Sequence, residues 1–210
     1  MHTLLADAAQ PFEMAGYPLF IAEIAAFTHE LLLADHMQKT ARTREERIFY
    51  LGEAIERIRG AFFRQAMFAE FELATHDAVQ RGEALSGARM TRQYCELLRK
   101  YHGADAGVMR IDPVVCTEWA YIPHFHGPFY VYQYATSMAA ATHFTQQLLS
   151  GSTTARDTYL GVLRAGGSRH PVPLLRDAGL DMDSPLPYQA LVRHMERLMD
   201  ELEALLAAQQ

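Results

Sequence analysis

The sequence predicts an all-α protein, an irregular assembly of several helices within a single domain that spans residues 1–210. Three observations support this prediction. Apolar residues recur at spacings of three to four along most of the chain, no stretch alternates in the way a useful strand does, and no repeat, low-complexity tract or linker separates the segments. Because the helices are long and their connections irregular, a regular four-helix bundle is less favoured.

The composition is that of an ordinary globular protein, since 50% of the 210 residues are hydrophobic and 21% are charged. The net charge of -6 argues against a nucleic-acid partner, which needs a basic face. No apolar run approaches the roughly eighteen residues of a membrane span, and the start lacks the basic and apolar regions of a secretory signal. We therefore predict a cytoplasmic location, no membrane association, and free thiols at Cys95 and Cys116.

The first part of the chain predicts two long helices after a short one. Leu4, Leu5 and Ala8 have helical spacing at the very start. Pro18 stands where a first helical turn accepts proline, and the helix it opens has the stripe Phe20, Ile24, Phe27 and Leu31. Residues 42–82 predict one long helix with a bend or break near Gly60, because glycine weakens a helix by about 1 kcal/mol relative to alanine.

The remaining chain predicts helices separated by one irregular stretch. Ser86 is a suitable N-cap for a helix from Gly87 to about Tyr101 that ends at Gly103. Residues 104–127 lack a period and contain Pro113 and Pro123, with Pro128 directly after them, so we expect irregular backbone with a short helical turn. Further helices are expected over residues 129–149, 153–165 and about 184–208, with a single turn near residues 171–182.

The segment "IPHFHGPFYVYQYAT" concentrates aromatic and imidazole rings between Ile122 and Thr136. His124 and His126 form H-x-H, which chelates a metal from a strand, where alternate residues point the same way. No strand is predicted there, and no further Cys or His follows at ligand spacing. The structural alternative, in which one imidazole packs and the other is exposed, is therefore favoured.

Three tyrosines follow these histidines. On a helix, Tyr130 and Tyr134 share a face and Tyr132 points elsewhere. A buried tyrosine needs a partner for its hydroxyl, so this density of tyrosines favours a polar cleft over a dry core. From the residues alone, cleft lining and structural hydrogen bonds remain equal alternatives.

Glu23 lies in the apolar run "FIAEIAAF", where burial of a carboxylate is costly unless it is paired or binds a metal. Three alternatives are open: an outward helix edge, a pair with an arginine of the long helix, or use as a ligand or catalytic group. Glu30 lies two turns later on the same face. Glu70 and Glu72 are similar cases, for which we expect solvated faces.

Four separated stretches together resemble one family. "YPLFIAEIA", "FRQAMFAEFE", "EWAYIPHFHGPFYVYQYAT" and "AGGSRHPVPLLRDAGLDM" are similar to the C-terminal part of oligoendopeptidase F, one of the thimet-oligopeptidase-like zinc peptidases. The resemblance extends from Ala8 to about Pro187. It implies the C-terminal portion of a zincin-type catalytic domain, and a parent enzyme that uses zinc to hydrolyse short peptides.

The resemblance also implies roles for individual residues. Members of the family bind zinc through the two histidines of an H-E-x-x-H helix, whose glutamate activates water, and through a third ligand that falls on Glu23. The oxyanion-stabilising tyrosine and its assisting histidine fall on Tyr130 and His124. The expected substrate-binding residues are Tyr134, Tyr132 and His126.

The chain departs from the family pattern at several positions. His126 stands where members often have an aromatic residue, Ser137 where they have Gly, and His29 where they have Asn, which affects fine substrate contacts. The larger departure is that no H-E-x-x-H occurs in the sequence. Met1 and His2 align just beyond the second zinc histidine, so Leu4, Leu5 and Ala8 would be the tail of the zinc helix.

Three hypotheses follow. The first is a C-terminal fragment or truncated form of a zinc oligoendopeptidase that binds no zinc and is inactive alone. The second is a metal-free peptide-binding module, and the third is a helical dimerisation protein without a ligand. Apolar faces left bare by a missing partner would be covered by association, so we expect a homo-oligomer, most simply a C2 dimer.

Overall fold

In the computed structural model, which describes residues 1–208, the chain is all-α, as predicted, and these residues contain no β-strand. None of the helices described is long and apolar enough to cross a membrane. The chain divides into two compact units, one of residues 60–135 and one that joins residues 1–59 to the segment from residue 136 onward. The single domain expected from the sequence stays a prediction.

The helix boundaries agree with most of the expected segments. The α-helices are α1 (His2–Ala9), α2 (Phe12–Ala15), α3 (Leu19–Thr40), α4 (Arg44–Ile58), α5 (Arg64–Gln80), α6 (Gly87–Tyr101), α7 (Tyr132–Leu149), α8 (Thr153–Arg164), α9 (Pro171–Asp177) and α10 (Leu186–Ala207). A π-helical segment covers Arg59–Phe63, and 3-10 segments cover Ala104–Ala106, Pro113–Tyr121 and Pro123–His126.

The helical run from α4 to α5 changes its hydrogen-bond pattern at the point where a bend or break was predicted. The π-helical turn between them includes Gly60, and π-turns inside α-helices are commonly single irregular turns of this kind. The run begins with a capping box, in which the Thr43 hydroxyl accepts the Glu46 backbone N–H and the Glu46 carboxylate accepts the Thr43 N–H.

Two local predictions around the ring-rich segment were inaccurate. Residues 104–126 hold three 3-10 segments rather than one short turn. Helix α7 begins at Tyr132 and not at Phe129, because Phe129 has φ 58° and lies in the left-handed region, which ends helical geometry. Periodicity alone did not reveal this, since the residue that breaks the helix is not glycine.

The unit of residues 60–135 packs α5 and α6 with the 3-10 segments around an aromatic core that includes Phe68, Phe71 and Tyr94. Cys95 on α6 and Cys116 on the segment Pro113–Tyr121 belong to this core and form a disulfide. The expectation of free thiols is therefore wrong. It rested on cysteine number and compartment, neither of which reveals that two segments pack side by side.

The other unit has a core formed mainly by α3, α7, α8 and α9, with Ile24, Phe144 and Leu163 among its buried residues. Backbone approaches backbone closely at the turn after α8. The N–H of Gly167 donates to the carbonyl of Met14 at 2.8 Å, and Gly166 has φ 52°. This contact fixes the chain between α1 and α3 against the turn that precedes α9.

His2 should make the stability of the protein depend on acid pH. Its side chain is buried (6% exposed) and stacks on Tyr17, with the two ring centroids 3.6 Å apart. Neither ring nitrogen has a hydrogen-bond partner among residues 1–208. Burial, reinforced by the N-terminal charge, lowers the pKa of His2 from 6.5 to about 4. The folded state therefore binds this proton less readily than the unfolded state does. Above pH 6.5 the group has no effect, and between pH 6.5 and 4 stability falls by up to about 3 kcal/mol.

Urea unfolding at pH 7.5, 5.5 and 4 measures this effect. His2→Phe keeps an aromatic ring against Tyr17 and removes the titrating group, so its stability should fall less with acid. Equal losses in the two proteins would show that His2 does not carry the effect.

Candidate functional site

Three predicted site residues lie together in the unit of residues 60–135. His124 is on the 3-10 segment Pro123–His126, Tyr130 follows it, and Tyr134 is on the first turns of α7. The ring centroid of His124 lies 5.5 Å from that of Tyr130 and 5.9 Å from that of Tyr134. The centroids of the two tyrosine rings are 5.3 Å apart. We call these residues the ring cluster.

The ring cluster has an internal hydrogen bond and access to solvent. The Tyr134 hydroxyl donates to the Tyr130 hydroxyl at 3.3 Å. His124 is exposed and the two tyrosines are half-buried. Because Tyr130 accepts from Tyr134, its own hydroxyl proton is available to a further acceptor, such as a carbonyl oxygen of a ligand.

The shared helical face expected for Tyr130 and Tyr134 is not what brings them together. Tyr130 precedes α7, and the turn at Phe129 places its ring against Tyr134. Tyr132 is exposed on α7, and as it lies two residues from Tyr134 it points from a different side of the helix.

Glu72 is a residue of this site that sequence reasoning missed. It was expected on a solvated face of α5, yet it is only 4% exposed, and its carboxylate accepts the backbone N–H of Phe129 at 2.8 Å. The ring of His76, one turn further along α5, packs against Phe129 at 4.8 Å. The signal was available: Phe68, Glu72 and Thr75 follow the helical period, so Glu72 falls on the buried stripe.

His126 belongs to a different environment from His124. It lies at a pocket of about 430 Å³ between α5, the start of α6 and the 3-10 segments. The pocket is mostly apolar, with Phe71, Trp119 and Phe125 in its wall, and it also includes Glu72 and His76. Among residues 1–208 no three His, Cys, Asp or Glu side chains group as metal ligands would.

The 3-10 segment before His124 is fixed by a partly buried polar network. Glu118 accepts the Tyr94 hydroxyl at 2.6 Å and forms an ion pair with Arg64. Burial and the hydrogen bond to Glu118 raise the pKa of Tyr94, so its hydroxyl remains a neutral donor. The network joins α5, α6 and the segment Pro113–Tyr121, which supports the backbone that leads into the ring cluster.

Glu23, the predicted metal ligand, belongs to the other unit. It is half-buried on α3, next to the buried Ile24 and Ala25, and its carboxylate has no hydrogen bond or ion pair within residues 1–208. The pairing with an arginine of the long helix is made by Glu30 instead, which contacts Arg57 at 2.6 Å. Because Glu23 is only half-buried, its carboxylate keeps access to solvent, and none of the alternatives that involve pairing within this chain accounts for it.

Ser137 and His29, two residues at which the chain departs from the family pattern, each contact a backbone carbonyl. Ser137 is fully buried on α7, and its hydroxyl donates to the carbonyl of Phe20 at 3.4 Å. The Nδ1 of His29 lies 2.6 Å from the carbonyl oxygen of Ala25 on the same helix. Both side chains therefore lie within hydrogen-bond distance of a backbone carbonyl, at the positions where the resemblance leads us to expect Gly and Asn.

Comparison with known proteins gives one consistent result. The chain is 39% identical to the oligopeptidase PepF of Bacillus subtilis over 206 residues, 98% of this chain and 30% of that protein. It is 38% identical to an oligoendopeptidase F homolog of Lactococcus lactis, covering 98% of this chain and 34% of that protein. The chain thus spans about a third of the length of these curated relatives.

Comparison with solved structures also finds peptidases. A putative peptidase from Chlamydophila abortus superposes with a TM-score of 0.87 at 37% identity, covering 97% of this chain and 34% of that one. An oligoendopeptidase-F from Enterococcus faecium superposes with a TM-score of 0.83 at 29% identity, covering 99% of this chain and 38% of that one. The family model described as peptidase family M3 matches residues 1–195, and this chain therefore belongs to peptidase family M3.

Proposed function

We propose that this chain supplies the C-terminal, substrate-contacting part of a zinc-dependent oligoendopeptidase that hydrolyses short peptides. Family membership and the similarity to proteins named oligopeptidases and oligoendopeptidase F support the class of reaction. The observation that carries the proposal is the ring cluster, in which the half-buried Tyr130 accepts a hydrogen bond from Tyr134 and both tyrosine rings lie against the exposed His124.

The chemistry assigned to the ring cluster is hydrogen-bond donation to the peptide. Tyr130 accepts from Tyr134, so its O–H donates toward the oxygen of the scissile carbonyl, where negative charge develops during attack. His124 assists by lying against both tyrosine rings, with its imidazole exposed to the same ligand. Tyr134, Tyr132 and His126 are the proposed contacts to the rest of the substrate.

The residues of this chain do not fit a complete zinc site. Structural and catalytic zinc sites use three or four protein ligands, and residues 1–208 contain no group of three candidate side chains. Glu23 offers a single carboxylate, so we assign it as one ligand of a site whose other ligands come from outside this chain. On its own, the chain is proposed to hold no zinc and to be inactive. A cytoplasmic location and a homo-oligomer remain predictions.

A chimera tests the function. The region of the Bacillus subtilis oligopeptidase PepF that matches this chain is replaced by residues 1–210 of this sequence. The chimera should cleave an internally quenched short peptide, lose that activity to a chelator and regain it with zinc, whereas this chain alone should do neither. Glu23→Gln in the chimera should reduce both zinc content and turnover, because a neutral amide is a weaker zinc ligand than a carboxylate.

Two results would contradict the proposal. Stoichiometric zinc with chelator-sensitive cleavage by this chain alone would refute the assigned dependence on outside ligands. A chimera that binds zinc normally with Glu23→Gln would remove Glu23 from the ligand set. If this chain binds short peptides and neither the chain nor the chimera cleaves them, the metal-free peptide-binding module becomes the better hypothesis.

A further inference from the structure

We propose that Glu72 is a positioning residue, which holds Phe129 in its left-handed conformation and thereby places the Tyr130 hydroxyl in the ring cluster. The importance of this placement for hydrolysis rests on the function proposed above for Tyr130. The conformational part of the proposal does not, because it concerns only contacts within residues 60–135.

The first step of the argument is the burial of Glu72. The side chain lies on the buried stripe of α5, next to a core that includes Phe68 and Phe71 and at the wall of the pocket beside His126, and it is 4% exposed. A carboxylate placed there loses most of its hydration and is tolerated when it accepts strong hydrogen bonds. A side chain serving only to fill this space would be apolar, so the carboxylate indicates a specific polar task.

The second step is the partner that Glu72 has. Its Oε1 accepts the backbone N–H of Phe129 at 2.8 Å, across 57 positions of sequence. Hydrogen bonds from backbone N–H groups to carboxylates are charge-assisted and stronger than those between neutral groups. The bond therefore fixes one particular peptide group in the loop, immediately before Tyr130.

The third step is the conformation that the bond supports. Phe129 has φ 58°, and it is the one non-glycine residue with positive φ among residues 1–208. This region is unfavourable for a residue with a large side chain and persists where surrounding contacts impose it. Glu72 holds the backbone of Phe129 and His76 packs against its ring at 4.8 Å, so two residues of α5 impose the turn.

The last step connects the turn to Tyr130. The sequence of residues 129–131 is compatible with helix, and the local pattern predicts that α7 begins at Phe129. In the structure it begins at Tyr132, and Tyr130 reaches Tyr134 from outside the helix. Without the bond from Glu72, α7 is expected to extend toward Phe129 and carry the Tyr130 ring to a new place.

Nuclear magnetic resonance on the full chain tests this directly. In Glu72→Ala, the Phe129 amide should exchange with solvent roughly 10- to 100-fold faster, the effect of losing one hydrogen bond to a charged group. The backbone carbon chemical shifts of residues 129–131 should move to values typical of an α-helix, and the chemical shifts of the Tyr130 ring should change. Glu72→Gln keeps an acceptor oxygen and should restore most of the wild-type values.

Matched variants separate positioning from general stability. Glu70→Ala is on the same helix, and its carboxylate pairs with Lys100 and Tyr101 at the surface, so it should leave the signals of residues 129–131 unchanged. Phe129→Gly removes the cost of positive φ, and in this background Glu72→Ala should shift the Tyr130 signals less. This double variant also serves if Glu72→Ala alone fails to fold.

The proposal is overturned if Glu72→Ala leaves the Phe129 exchange rate and the Tyr130 signals at wild-type values. It is also overturned if Glu72→Gln behaves as Glu72→Ala does. In the PepF chimera, displacement of Tyr130 should lower kcat more than it alters KM. Altered Tyr130 signals with unchanged kcat would confirm the positioning by Glu72 and refute the role proposed for Tyr130.

Discussion

Replacement of Tyr130 by Phe should lower the kcat of the PepF chimera about 100- to 1000-fold, the usual effect of removing one oxyanion-stabilising donor. Phenylalanine retains the ring that packs against His124 and Tyr134 and removes only the hydroxyl. KM should change little, because this hydrogen bond strengthens as charge develops on the carbonyl oxygen. Steady-state kinetics with a quenched peptide measures both constants.

Tyr121→Phe provides the matched control for this change. Tyr121 is 73% exposed at the end of the segment Pro113–Tyr121 and lies outside the ring cluster, so the loss of its hydroxyl should leave kcat within a few-fold. Zinc content and the urea midpoint should be unchanged in both variants. A Tyr130→Phe chimera with wild-type kcat would rule out hydrogen-bond donation by this hydroxyl.

Gly167→Ala should destabilise the protein by about 3 kcal/mol or more, which is a large effect for the addition of one methyl group. A Cβ at this position would overlap the backbone carbonyl oxygen of Gly16. Backbone cannot rotate away as a side chain does, so the segment between α1 and α3 must separate from the turn after α8. The hydrogen bond from Gly167 to Met14 would be lost at the same time.

Gly161→Ala makes the same chemical change where there is space. Gly161 lies within α8, and a Cβ there has no neighbouring atom within 4 Å. Alanine is the better helix former by about 1 kcal/mol, so this variant should be as stable as the wild type or slightly more stable. Urea unfolding of both variants compares them, and equal stabilities would show that the turn after α8 adjusts freely.

The helices could largely be predicted because their signals are local. Ser86 accepts the Arg89 N–H at 3.3 Å as an N-cap, and α6 ends before Gly103, which has φ 62°. Helix α3 begins directly after Pro18. Caps and apolar periods act within one or two turns of chain, so a single sequence contains all the information that they require.

Features that depend on distant parts of the chain were not predictable in this way. The bond between Glu72 and Phe129 and the disulfide between Cys95 and Cys116 both join segments whose proximity is a result of packing. The conformation of Phe129 is a third case, since its cause lies on another helix. The proximity of Tyr130, Tyr134 and His124 was expected from resemblance and from helical spacing, although the turn that produces it was not.

The disulfide between Cys95 and Cys116 restricts the unfolded chain in only one of the two units. A covalent bond across a sequence separation of 21 removes much of the conformational freedom of that loop, an entropic stabilisation of about 3 kcal/mol. The sequence has no other cysteine, so only the unit of residues 60–135 gains from it. In a reducing compartment this contribution disappears. The unit that holds the ring cluster thus draws part of its stability from the oxidation state of its surroundings, and the unit that holds Glu23 draws none.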